Sequence, residues 1–502
     1  MLRLLGFFSG AAVMIVEFAG NRLLSPGFGN SLYTWTGLIG VILVALSCGD
    51  YFGGWLVDRH PRFSLLPLMF GAAGLLTAAI PGLAKLCPPF DRLDLVTGPI
   101  FVSLGLFFLP GLVLATITPV SIRLLSRASH DENIGKSAGT VGMAAALGSF
   151  AGTLATSYVL IPKFGTRQIF IVLGIALCTL AAALWLLNFR RSQQTFASMA
   201  IAVAGFGTAA FSAKEPPLPE NILFAKDTFY HRITVQQMRA GTPSEIRALQ
   251  LDSTMEGAQE IKTGNLVFPY QRYWQLAEVF QPSLKRAAFL GAGAFGMPQK
   301  LSRRFPDANV DVVEIDPEVI EVGRRFFRLD EFPNVHAVAS DARRYLNTSQ
   351  ESFDFIFGDA YNGVQYVPAH LVTREFFSEI KARLSPSGIF MMNLIGSAQG
   401  PKSQLFWRVM NGVSAAFPHT MLCGTQWRNP SEQQNLMIVA SGEPLAPRID
   451  AWKKNSRREH APILELLNTR IDTVVAPEPR ELFTDDHNPV EYVVAKQLRL
   501  KP

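Results

Sequence analysis

The sequence predicts two unlike halves: an N-terminal α-helical transmembrane bundle of about seven spans, and a C-terminal α/β domain that carries a small β-subdomain. Three observations carry this. A mean hydropathy of +0.21 with only 17% charged residues is too apolar for a wholly soluble chain of 502 residues, and the excess is confined to the region before about residue 213. After that point apolar strands alternate with helical stretches, which implies a mainly parallel, doubly wound sheet. Between the two, from Leu218 to about Ile261, apolar residues recur at every second position, as in a small antiparallel sheet. The expected domains are therefore 1–213, 218–270 and 271–502.

Seven segments are long enough, at about 17–25 residues, to cross a hydrocarbon core. They lie near Leu4–Leu24, Tyr33–Val57, Phe63–Leu83, Val96–Ile122, Ile134–Ile161, Ile169–Leu187 and Phe196–Ala213. The first carries Glu17 and Arg22 and no small-residue cleavage site, so it reads as a span and not as a removed leader. Gly37, Gly40, Gly49, Gly53 and Gly54 in the second span, and Gly139, Gly142, Gly148 and Gly152 in the fifth, offer close helix contact in lipid. Glu17 and Asp50 are acids at membrane depth; the sparse spans favour a buried polar clasp over an ion path. The stretch Gly49–Arg59 resembles the loop signature after the second helix of major-facilitator transporters, which usually carry twelve spans in two halves. About half that number makes autonomous alternating access doubtful.

The net charge of +6 and a pI near 9.1 come without long basic runs, so nucleic-acid binding is not expected. Basic residues flanking spans account for the balance. One side of the bundle collects Arg3, Arg59, Arg62, Arg123, Arg127, Lys136, Arg190 and Arg191, the other Arg22, Lys85, Arg92, Lys163, Arg167 and Lys214. With seven spans this slight bias would put the soluble half outside. Cys48, Cys87, Cys178 and Cys423 show no pairing pattern and no CxxC spacing, so neither a disulfide scaffold nor a metal site is expected.

In the soluble half, strands are expected at 287–291, 310–316, 335–340, 353–358 and 388–395, with an antiparallel edge from Thr420–Cys423 and Asn435–Ala440 and a helix from Tyr273 to Phe280. The first strand runs into Gly291-Ala292-Gly293-Ala294-Phe295-Gly296, a helix follows, and the second strand ends on Glu314 and Asp316. This Rossmann-like layout suits a nucleoside. Gly291, Gly293 and Gly296 let backbone approach the ligand, and Glu314 sits where a carboxylate grips two ribose hydroxyls. Further acids end the next strands, Asp341 before Ala342 and Asp359 before Ala360. Asp341 also suits a helix cap; Asp359, followed by a Tyr-Asn-Gly loop, suits one less well.

Several segments resemble spermidine synthases and other aminopropyltransferases: Val312–Ile320, Ser340-Asp341-Ala342, Phe353–Ala360, Leu371–Phe377, Arg247–Asp252 and Tyr270-Gln271. Leu482–Glu491 strengthens the likeness; the bland alternative there is a metal cluster of two Asp and one His. With its helical half, the chain is similar to membrane-fused spermidine-synthase-like proteins described as joined to a transporter fragment. The resemblance implies that Glu314 binds ribose and Asp341 the adenine amino group of decarboxylated AdoMet or methylthioadenosine. It further implies that Asp359 helps deprotonate the attacking amine and that Tyr230 and Tyr270 line the amine side. Decarboxylated AdoMet would be a co-substrate; no prosthetic group and no metal are expected. Three positions depart from the pattern. Ala294 stands where the glycine loop carries an acid, Asn362 replaces the second acid of an Asp-x-x-Asp loop, and Glu256 replaces a glutamine.

The leading expectation is a membrane-anchored aminopropyltransferase in polyamine biosynthesis, with a small amine and the lipid bilayer as partners and a homodimer among the expected assemblies. An AdoMet-dependent methyltransferase is the second reading, because the same sheet serves both. The third is a nucleoside or polyamine sensor coupled to the bundle, with or without transport. The expected location is a multi-pass protein of the inner (plasma) membrane with the soluble domain in the cytoplasm, since AdoMet-type nucleosides are held there.

Overall fold

The computed structural model describes residues 1–88, 90, 93–128, 134–188, 200, 203–210, 212, 218–361, 367–475, 477–478 and 480–499. By contact the chain divides into two units, Met1–Pro219 with Lys226–His231, and Glu220–Ala225 with Arg232–Pro502.

The first unit is helical: α1 Leu2–Phe28, α2 Leu32–Arg59, α3 Leu65–Ala84, α4 Gly98–Leu106, α5 Phe108–Ala128, α6 Ile134–Ala155 and α7 Thr166–Asn188. Six helical stretches among the described residues are long and apolar enough to cross a membrane. The α6 stretch continues through a π-helical turn, Thr156–Leu160, to Lys163. The fourth expected span, Val96–Ile122, is not one rod. It breaks at Phe107, because Pro110 has no amide to offer the Leu106 carbonyl. The seventh, Phe196–Ala213, lies partly outside the described residues. Its described part, 203–210, is helical, and Ser212 Oγ donates to the Ala78 carbonyl at 2.6 Å.

Small residues do set the helix crossings, though not all of them. A Cβ on Gly152 would lie 2.5 Å from the Ala11 carbonyl oxygen, and one on Gly53 2.6 Å from that of Thr116. So α6 packs backbone to backbone on α1, and α2 on α5, which gains dispersion contact. Gly40, Gly54, Gly139 and Gly142 face open space instead.

The second unit begins with four strands in the order β1-β2-β3-β4: Ile222–Asp227, Arg232–Met238, Ile246–Leu251 and Thr254–Glu260. A 3₁₀ helix, Pro269–Leu276, and one α-turn, Ala277–Phe280, stand where a single helix was expected. The main sheet follows as β5 Arg286–Leu290, β6 Asn309–Glu314, β7 Val335–Ala339, β8 Phe353–Gly358, β9 Leu384–Gly396, β10 His419–Gly424 and β11 Gln434–Ser441. Its order is β10-β11-β9-β8-β5-β6-β7. The strands from β9 to β7 are parallel, and β11 and β10 close the β9 side antiparallel.

Strands of a parallel sheet are covered on both faces, so β8 is apolar apart from Asp354 near its start. Phe353, Phe355, Ile356 and Phe357 are all fully buried. Helix α8, Gly296–Arg304, leads from β5 toward β6; α9, Pro317–Phe327, leads to β7; and α10, Ala342–Thr348, leads toward β8. The chain leaves β5 for β6 on one side and later places β8 on the other. The order thus reverses at β5, and the crevice at its carboxyl end is where such sheets bind ligands.

Candidate functional site

The site is built around the turn after β5. Gly291 takes φ +101°, and its amide donates to the Val313 carbonyl at 2.9 Å. A side chain there would run into the Asp359 backbone, so both the angle and the space require glycine. Gly293 has φ +48°, and a Cβ on it would lie 2.9 Å from the Glu256 carbonyl oxygen. Gly296 opens α8, where Leu266 fills the space a side chain would take.

Three acids from three strands surround this turn. Glu314, buried at the end of β6, accepts from the Ala292 amide at 3.2 Å and from the Asp316 amide at 3.0 Å. A carboxylate has about four acceptor positions, and these bonds fix its plane. Asp359 follows β8, and its amide bonds to the Leu290 carbonyl at 2.9 Å. Glu256 comes from β4, partly buried, with its backbone against Gly293.

Asp359 is held from two sides. The Asn393 amide donates to its Oδ1 at 2.8 Å, and the Tyr270 hydroxyl donates to the same carboxylate. Asn393 is itself held by Asn435, whose Nδ2 donates to its Oδ1 at 3.1 Å. Tyr361 braces the same strand, donating to the Asn393 carbonyl at 3.1 Å and accepting from the Ile395 amide at 2.9 Å. Desolvation raises the Asp359 carboxyl to about 6, while the donors Asn393 and Tyr270 pull the other way. A group at that value is ionised at neutral pH yet more basic than a free aspartate, which suits a proton acceptor. Glu256 is pushed well above the carboxylate range, first by desolvation and then by the charges of Asp359, Glu314 and Asp252.

The structure thus brings Gly291, Gly293, Gly296, Glu314, Tyr270 and Asp359 to one crevice. Asp316, 1% exposed, caps α9 by accepting from the Glu318 amide at 3.0 Å. Asp341 caps α10 through the Arg344 amide at 2.9 Å and meets His370 Nε2 at 2.7 Å, with Ala342 buried as the first residue of that helix. Partial burial raises the Asp341 carboxyl, but the Arg344 amide, His370 and the Arg343 amide together hold it below its ordinary value. Tyr230 belongs to the other unit of the chain. It sits between β1 and β2, in the segment Lys226–His231 that groups with the helical unit, and its carbonyl accepts from Arg22 at 2.8 Å. Asn362 lies outside the described residues. Asp485, in the Leu482–Glu491 segment, is engaged by Arg343 at 2.6 Å, and Arg343 also pairs with Glu379.

Asn393 was not singled out from the sequence, although a signal exists. It is the one polar residue in the run Ile389-Phe390-Met391-Met392-Asn393-Leu394-Ile395, and a lone amide in a buried strand needs a partner.

A glycine turn at the switch point of a parallel sheet, with an acid ending each adjacent strand, is the Rossmann-like layout of this α/β unit. Residues 274–448 match the spermine/spermidine synthase domain. A polyamine aminopropyltransferase of Vibrio vulnificus is 34% identical over 144 residues, 28% of this chain and 48% of that one. A probable polyamine aminopropyl transferase of Bifidobacterium longum is 23% identical over 285 residues, 54% of this chain and 62% of that one. This chain therefore spans about half to three-fifths of the length of these two relatives. Polyamine aminopropyltransferase 2 of Aquifex aeolicus is 22% identical over 468 residues, 88% of both chains.

Proposed function

We propose that the second unit transfers an aminopropyl group from decarboxylated AdoMet to a small amine and releases methylthioadenosine. The observation that carries this reading is Asp359, fixed by Asn393 and Tyr270 beside a glycine turn and raised to about 6. In the reaction a neutral amine attacks the carbon bonded to the sulfonium sulfur. The new C–N bond forms as the C–S bond breaks, and the sulfur keeps the electron pair and leaves as the thioether. The amine nitrogen gives up a proton, for which Asp359 is the acceptor. No covalent enzyme intermediate is needed, so the site's work is alignment and proton removal.

Glu314 is assigned the ribose hydroxyls. Asp341 and Ala342 are assigned the base, with the spare acceptor capacity of Asp341 left after its cap bond. Tyr270 serves as a wall of the amine side and holds the base in place. The six long apolar helices support an integral membrane protein, with the transferase unit on the cytoplasmic face where the donor is made.

Calorimetry with methylthioadenosine tests the nucleoside site directly. Glu314→Ala removes two charge-assisted hydrogen bonds and is expected to weaken binding by roughly 2–4 kcal/mol. Equal affinity for wild type and variant would rule the site out.

A further inference from the structure

The crevice holds more negative charge than a nucleoside needs. Asp359 lies against Gly291, Glu314 bonds to the Ala292 amide, and Glu256 lies against Gly293. Three acids on β4, β6 and the end of β8 therefore ring three consecutive residues of one turn. Glu314 is turned to the turn's amides, and Asp359 is held by Asn393 and Tyr270. Glu256 is the member for which no hydrogen bond from a described side chain or amide is found. Its place is also opened by small residues: a Cβ on the next residue, Gly257, would lie 2.7 Å from the Ala294 Cβ. With glycine at 257 and alanine at 294, β4 comes in close to the turn, and Glu256 is near enough to Glu314 and Asp359 for their charges to act on it. An acid at 294 would crowd this approach.

Resting on the aminopropyl-transfer reading, we propose that Glu256 is the specificity-determining carboxylate of the donor, selecting a nucleoside that carries only cations on its sulfonium chain. Glu314 marks the ribose and Asp359 the attacking amine, so the donor's sulfonium and aminopropyl ammonium must lie between them, facing Glu256. A doubly cationic chain offsets two of the three negative charges. AdoMet differs by one carboxylate on that same chain and would bring a fourth negative charge into the crevice. The groups that act electrostatically on Glu256 are Asp359, Glu314 and Asp252, all of one sign, and Tyr270 and Tyr361 complete the wall. Desolvation and these neighbours hold a proton on Glu256 in the empty site. Entry of the cationic donor expels it; entry of the neutral thioether does not.

The test is equilibrium binding to the full chain in detergent, with decarboxylated AdoMet, AdoMet and methylthioadenosine as probes, for wild type and Glu256→Gln. Glutamine is isosteric and is the residue the family resemblance places there, and methylthioadenosine binding checks the fold. Wild type is expected to prefer decarboxylated AdoMet over AdoMet by about tenfold or more, as one unit charge at close range in a partly desolvated site implies. Glu256→Gln should cut that preference to about threefold or less while methylthioadenosine affinity stays within about threefold. Calorimetry in two buffers of different ionisation enthalpy should show proton release with decarboxylated AdoMet in wild type and none in the variant. An unchanged preference in a variant that still binds methylthioadenosine overturns this inference alone. Loss of methylthioadenosine binding in the variant also overturns it, by making Glu256 a structural or nucleoside-holding group. A wild type that binds AdoMet as tightly as decarboxylated AdoMet, or no methylthioadenosine at all, overturns the aminopropyl-transfer reading as well.

Discussion

Asp359 shows how much a single side chain depends on its setting. An amine near pH 7 is almost wholly protonated, so attack needs a nearby proton acceptor, and general-base help is commonly worth about 10²–10⁴ in rate. Asp359→Asn keeps the shape and the Asn393 bond, so turnover should fall by about that factor while methylthioadenosine affinity stays within a few-fold. With the carboxyl raised to about 6, single-turnover rates at saturating substrates should rise through that pH and level off above it. The stability effect has the opposite sign. A folded-state value above the ordinary 3.8 means the fold binds the proton more tightly, so ionisation costs stability as pH rises from about 4 toward 6. Asp359→Asn should therefore melt higher than wild type at pH 7.5, with the gap closing by pH 4. A variant less stable at pH 7.5 would show that the carboxylate is a structural partner and not a strained base. Asp359 and Glu314 were legible because each ends an apolar strand. Their support was not: Asn393 and Asn435 come from strands far along the chain, and which side chains meet across a sheet depends on register.

At the scale of elements, the turn after β5 joins the fold to the site. Its shape is set by backbone contacts with β4 and β8, so a change in the turn reaches Glu256 and Asp359 together. Gly291→Ala must hold a positive φ and meet the Asp359 backbone. Such strain costs about 1–3 kcal/mol. The expected outcome is a lower melting temperature and at least tenfold weaker methylthioadenosine binding, about 1.4 kcal/mol; unaltered binding would separate the turn from the ligand. The sheet strands stand within a few residues of their expected places, because buried apolar runs bounded by glycine or acid are strong local signals. The breaks were harder to read. Pro110 interrupts an apolar run that composition alone carries straight through, and Pro269 starts a 3₁₀ helix where periodicity suggests an α-helix. Tyr230, whose role comes from likeness in local sequence, lies in a segment that groups with the helices, where its carbonyl accepts from Arg22.

For the whole molecule, the proposal joins a transferase unit in one chain to a unit with six helices long and apolar enough to cross a membrane. The amine side remains the part with the fewest familiar groups, since Ala294 and Asn362 stand where acids are expected. Poor use of putrescine and better use of a larger or less charged amine follow, and efficient spermidine formation by the purified protein would contradict that. The most direct test of the central claim is release of methylthioadenosine from decarboxylated AdoMet by the purified full chain, followed by mass spectrometry across a panel of amines. The account predicts release that depends on an added amine, an aminopropylated product in equal amount, and a fall of about 10²–10⁴ in Asp359→Asn. Release that is absent with every amine, or equal in wild type and Asp359→Asn, would contradict it.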